Sequence, residues 1–131
     1  MVKKIVSSGT RWEREYGYSR AVRTGDHVYV AGTTAVDDFG AVIGRGDPYA
    51  QAAAILDKIE WALAQAGASM RDVVRTRIFV TDMAHADAIG RAHGEKFADI
   101  RPAATMIQVV KLIHEHLLVE IEADAVIQDR G

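Results

Sequence analysis

The chain has 131 residues, 49% hydrophobic and 26% charged, with 11 glycines and 2 prolines, the composition of one folded globular domain over residues 1–131 rather than a disordered or collagen-like chain. Its 16 Lys and Arg against 18 Asp and Glu leave a net charge of −2, which offers a phosphate backbone or anionic lipid no long-range attraction and disfavours nucleic acid as a partner. The absence of cysteine removes disulfides, thiolate metal sites and thiol nucleophiles, so the chain needs no oxidising compartment.

Met1 to Ser8 bring two lysines and then only Ile5-Val6 before polar residues, without the apolar run of a signal peptide. Nowhere do about 18 apolar residues run uncharged, as a membrane span requires. A cytoplasmic protein without membrane contact is expected. Arg11 to Tyr16 mixes charged and aromatic residues without a period and reads as a loop. Its two glutamates cancel the charge that a nucleic-acid stacking groove needs.

Ser19–Thr24 and His27–Ala31 flank Gly25-Asp26, a glycine-first turn that closes a β-hairpin. Asp37 to Gly40 form a second turn, and Ala41 to Ile43 a short edge strand. Asp47 before Pro48 marks a helix start, because the carboxylate accepts from free amides and proline sacrifices no hydrogen bond. Ala52, Ile55, Leu56, Ile59, Ala62 and Leu63 then recur at helical spacing, and Gly67 stands where a left-handed cap is wanted. Val73 to Val80 alternates as a strand, with Val74, Thr76, Ile78 and Val80 on one face and Arg75, Arg77 and Phe79 on the other.

A second helix is predicted over 83–97, capped by Asp82, with Ala86, Ile89, His93 and Phe97 as its stripe. Gly90 and Gly94, one turn apart, weaken it. Ala103–Val110 and Leu117–Ile127 complete the strands. The hairpin demands antiparallel neighbours and the helices imply crossovers, so the class is α+β with a mixed sheet and both helices on one face. The other face carries Leu118, Glu120, Glu122 and Asp124, together with Arg75 and Arg77. Neither core nor uniformly polar, it points to a subunit interface or solvated channel.

Glu120, Glu122 and Asp124 lie ~6–7 Å apart along one strand face, a spacing that suits acid–base work or a hard metal, or equally a charge ladder with Arg75 and Arg77. His114 and His116 alternate around Glu115, as two imidazoles of a metal site or as an ordinary polar loop. No metal and no cofactor are assigned. His93 is either a satisfied core histidine or a titratable group lining a pocket. No phosphate loop, nucleophile elbow or zinc-protease motif is present.

Several segments in order, Tyr18-Ser19-Arg20-Ala21-Val22, Val30-Ala31-Gly32-Thr33, Gln51, Ala66-Gly67-Ala68-Ser69, Asp72-Val73-Val74, Thr81-Asp82-Met83, Arg101-Pro102-Ala103 and Val119 to Ala123, together resemble the RidA/YjgF/UK family of small reactive-intermediate deaminases. The resemblance spans Tyr18 to Val126. It implies a chorismate-mutase-like fold, a homotrimer and a small-molecule cleft at each subunit interface, where the deaminating members hydrolyse enamines and imines to a ketoacid and ammonia. In those members an arginine directly after Pro-Ala grips the substrate carboxylate with its planar fork. Here that position is Ala104, and the segment before Pro102 is shorter than in the deaminating members.

The remaining cleft positions that the resemblance implies are Tyr18, the backbone at Gly32, Thr105, and Glu120, the group that holds or activates water. Arg101, Arg20 or His93 would then supply the polar or cationic anchor. Two readings follow: an imine or enamine hydrolase of atypical substrate with Glu120 as general base, or a non-catalytic small-molecule-binding or interaction trimer. A ribonuclease role, also attached to the family name, is disfavoured by the negative charge.

Overall fold

In a computed structural model the described residues are 3–128; the expected domain limits at 1 and 131 and the start at Met1-Val2 lie outside them. The elements in chain order are β1 (Lys4–Val6), α1 (Arg11–Tyr16), β2 (Ala21–Thr24), β3 (His27–Thr34), α2 (Pro48–Gln65), β4 (Val73–Val80), α3 (Ala86–Phe97), β5 (Ala103–Gln108) and β6 (Val119–Val126). They build one six-stranded sheet in the order β1-β2-β3-β6-β4-β5. Among the described residues only β4 and β5 pair in parallel, joined by the α3 crossover, so the sheet is mixed, as the sequence implies.

Each element has a local cause. Asp47 caps α2 by accepting from the Ala50 amide at 3.0 Å, with Pro48 in the first turn. The apolar stripe from Ala52 to Leu63 is buried against β3 and β6. Gly67 takes φ 83° just beyond the helix end, where a Cβ would also meet the Arg23 guanidinium that bonds the Ala66 carbonyl. Val119, Ile121, Ala123 and Ala125 of β6 are buried under the helices, and Glu120, Glu122 and Asp124 point the other way. Both main helices therefore cover one face, and the core lies between them and the sheet.

Four expectations change. Arg11–Tyr16 is a helix, not a loop: it ends at Gly17, φ 74°, whose amide bonds the Glu13 carbonyl. A short strand at Lys4–Val6 pairs with β2, although nothing in Met1 to Ser8 announces it. Ala41–Ile43 is no strand, since only one bridge joins Val42 to Val36. Val74 does not share a face with Thr76, because a register shift between Val73 and Arg75 buries Val73 and leaves Val74 43% exposed. One extra residue inverts a strand's alternation on its far side.

Candidate functional site

The site is built on a second irregularity. Val30 pairs with Ala123 but Thr33 with Ile121, so β3 carries one residue more than β6 across this interval. The bulge exposes the backbone around Ala31 and Gly32, and Thr33 closes it by donating its hydroxyl to the Ala31 carbonyl at 2.8 Å. Glu120, opposite Thr34, lays its carboxylate over Gly32. A Cβ at position 32 would overlap Glu120 Oε2 and sit 3.1 Å from its Cδ. Glycine is thus required here for space, and its backbone is not left-handed.

Burial raises the Glu120 pKa, with Arg20 opposing the rise and Glu122 adding to it. Among the described residues no donor is placed on its carboxylate. Arg20, immediately before β2, donates from Nη2 to the Gly32 carbonyl at 2.6 Å. Its guanidinium lies 6.0 Å from the centre of the Tyr18 ring, and Tyr18 is 42% exposed. Burial lowers the Arg20 pKa, against the attraction of Tyr18, Glu13 and Glu120. Tyr18, Arg20, Gly32 and Glu120 therefore gather at one end of the open face, set by strand alternation, the bulge and the turn after α1.

Lys58 is a residue that sequence reasoning passed over. Its ammonium leaves α2 to bond the carbonyls of Thr34 and Val36 at 2.7 and 3.1 Å. Burial and then the nearby Arg20 charge lower its pKa. Nothing in the helix pattern marks it, since Lys58 occupies an ordinary polar slot beside Asp57.

The other candidates fall elsewhere. Glu122 and Asp124 both bind Arg77, at 3.3 and 3.1 Å, which is the charge-ladder reading; such half-exposed pairs contribute only tenths of a kcal/mol. A concavity beside them, lined by Tyr18, Val22, Tyr29, Glu122 and Asp124, extends the open face away from Glu120. Thr105 is level with Arg77 on the outermost strand, two strands from β6. Arg101 is exposed, with φ 56°, in the turn before β5. That turn adjoins Ala103, which pairs with Arg75 and through it lies level with Asp124, four residues or ~13 Å along β6 from Glu120.

His93 lies beneath the sheet, its Nε2 2.9 Å from the Thr76 hydroxyl and its ring 4.6 Å from Phe97. Burial lowers its pKa, and Thr76 is fully buried on the helix-covered face. The fold of the chain does not bring His93 to Glu120. His116 contacts Arg45 at 2.6 Å and Glu115 at 3.3 Å, and its amide donates to His114 Nδ1 at 3.1 Å. The two imidazoles are thus engaged by their own loop and by Arg45 of the loop before α2. Ala104 pairs with Thr76 on the helix side of the edge strand, the face opposite Glu120.

A six-stranded mixed sheet backed by two helices, with a half-buried carboxylate over a glycine bulge, defines an α+β protein of the class that the sequence resembles. Residues 9–127 match the endoribonuclease L-PSP family, and the chain belongs to it. An uncharacterized protein of Streptomyces coelicolor is 40% identical over 120 residues, 92% of this chain and 89% of its own. A 3-aminoacrylate deaminase of Acinetobacter baylyi, RutC, is 35% identical over 108 residues, 82% of this chain and 85% of its own. The crystal structure of a YjgF/YER057c/UK114 family member from Mycobacterium tuberculosis is similar with TM-score 0.87 and 48% identity, over 96% of this chain and 100% of that one. No helix among the described residues is long and apolar enough to cross a membrane.

Proposed function

We propose that this chain, as one domain over residues 1–131, forms a homotrimer whose intersubunit clefts hydrolyse a small imine, enamine or related reactive metabolite, with Glu120 as general base and Tyr18, Gly32, Thr105 and Arg101 or His93 as cleft positions. The observation that carries this reading is the Glu120 carboxylate, half-buried over Gly32 and raised in pKa. In its ionised form such a carboxylate is a stronger base than an exposed one and is placed to take a proton from water. An enamine first gains a proton at its β-carbon and loses one from nitrogen, becoming the imine; the water oxygen then bonds to the C=N carbon as Glu120 takes the water proton, which passes on to the nitrogen. The aminoalcohol then collapses, leaving a carbonyl and releasing ammonia. The deaminase activity named for the Acinetobacter relative is of this class, and a cytoplasmic setting suits it.

Alanine at position 104 favours a second reading, a trimer that binds a small molecule without turning it over. A coupled assay separates the two. A serine dehydratase supplies 2-aminoacrylate, ketoacid release is followed above the solvent rate, and 3-aminoacrylate is tested in parallel. Slow turnover abolished in Glu120→Gln supports the hydrolase. No acceleration by the wild-type protein with either compound, alongside retained ligand binding, supports the binding trimer. Turnover unchanged in Glu120→Gln removes Glu120 from the site.

A further inference from the structure

We propose that Lys58 is a positioning residue of this site, holding the end of β3 level with Glu120 so that the carboxylate stays over Gly32. The inference rests on the role given to Glu120 above. It extends the working site from the open face of the sheet to α2.

The bulge that seats Glu120 lies close to the end of its strand. β3 stops at Thr34, so only Thr33 and Thr34 pair with β6 beyond the irregularity, opposite Ile121 and Glu120. The stretch before it is better held. His27 to Val30 pair with β6 on one side and β2 on the other, the Ala31 amide bonds the Arg20 carbonyl at 3.0 Å, and Arg20 in turn donates to the Gly32 carbonyl. Two residues at a strand end fray readily unless a group outside the sheet holds them.

That group comes from the helix layer. Past Thr34 the chain turns away, the Val36 amide bonding the Thr34 carbonyl at 3.0 Å. Lys58 Nζ, arriving from α2, donates to both outer carbonyls of this turn, Thr34 at 2.7 Å and Val36 at 3.1 Å. No other side chain among the described residues bonds them. A neutral group could serve two carbonyls, so the charge asks for a reason. Burial pulls the Lys58 pKa down, with Arg20 adding to the fall and Asp38 opposing it, and among the described residues no ion pair relieves the ammonium. The fold thus keeps a half-buried cation at a cost, bonded to backbone alone, at the strand end level with Glu120. Charge-assisted hydrogen bonds are the stronger kind, which is what so short a strand end needs.

The competing explanation is that Lys58 only stabilises the loop after β3. A carbon-13 NMR titration of the side-chain carboxyls separates the two, with the Glu120 signal identified by its absence from Glu120→Gln. Losing a nearby cation can only raise a carboxylate's pKa, whereas losing the seat over Gly32 admits water and lowers it. The sign of the change therefore reports position. In Lys58→Met the Glu120 midpoint should fall toward the range of an exposed carboxylate, and turnover of 2-aminoacrylate should drop by about 10-fold. Lys58→Arg, which keeps the charge and donors for both carbonyls, should restore both. A Glu120 midpoint unchanged or raised in Lys58→Met, or one still low in Lys58→Arg, overturns the inference whatever happens to thermal stability. Should Lys58→Met fail to fold, Lys58→Gln decides by the same sign; if neither folds, Lys58 is structural and the inference falls. A lowered midpoint in Lys58→Met, when the wild-type protein turns over no imine, leaves this inference standing and fells the hydrolase. Glu120-dependent turnover that Lys58→Met leaves at the wild-type rate does the reverse, and an ordinary Glu120 midpoint in the wild-type protein overturns both.

Discussion

Gly32 and Glu120 show how one missing Cβ sets a chemical group. Because Gly32 has no left-handed backbone to protect, Gly32→Ala tests space alone: the new methyl displaces the carboxylate. Turnover or ligand affinity should fall by ~10-fold or more, the usual scale for a misplaced catalytic group, with thermal unfolding nearly unchanged. An active Gly32→Ala would show that the carboxylate works from another position. The raised Glu120 pKa also fixes the sign of a stability effect. Folding penalises the ionised form, so its contribution is fully present below the unfolded carboxylate pKa and is lost as pH rises through the higher folded value. Glu120→Gln should therefore unfold at an equal or higher temperature than wild type at pH 7, the gap closing toward pH 4. A variant less stable at pH 7 would mark Glu120 as structural. Alternation along β6 makes the direction of Glu120 legible from sequence. Its contact with Gly32 is not, because that depends on a one-residue register difference between β3 and β6, strands far apart in the sequence.

At the scale of elements, long periodic segments announce themselves and short ones do not. The 18 residues of α2 repeat an apolar stripe over five turns, whereas the six of α1 complete fewer than two, too few for a period to emerge. The stability of α1 comes from what surrounds it: Glu13 is buried against Ser8, and Gly17 supplies the left-handed end. Gln51 is the clearest case of a residue whose role only the fold reveals. Fully buried within α2, it accepts from the Leu118 amide at 2.8 Å and donates to the His116 and Gly44 carbonyls at 2.9 and 3.2 Å. It thereby pins two loops to the helix. Gln51→Leu keeps the volume but leaves a covered amide and two carbonyls unpaired, which costs ~2–4 kcal/mol in total. The urea midpoint should drop accordingly with an unchanged slope. A loss under ~0.5 kcal/mol would mean that water satisfies those groups equally well.

For the whole molecule, the open face is where the proposed trimer is tested. It carries half-exposed Tyr29 and Ile107 beside the Arg77 ladder, a surface too mixed to be core and too apolar to be plain solvent face. Light scattering should give roughly three times 14.3 kDa; a monomer at micromolar concentration would remove both trimer and cleft. In the proposed trimer, the sheet also constrains which subunits would cooperate. Position 104 is level with Thr76 on the helix-covered side, while Glu120 is on the open side of β6 two strands away. An arginine introduced at 104 therefore cannot serve its own subunit's Glu120 through the sheet and must reach a neighbour's. Ala104→Arg should raise turnover of 2-aminoacrylate by ~10² if a bidentate grip is what the site lacks. The double variant Ala104→Arg with Glu120→Gln should be inactive alone. Refolded together with wild-type subunits, which have Glu120 but no arginine at 104, it should regain part of that increase, because each active cleft then draws its arginine from one chain and its carboxylate from another. If the mixture shows only the wild-type rate while Ala104→Arg alone is active, the two groups act within one chain, and the intersubunit cleft is wrong.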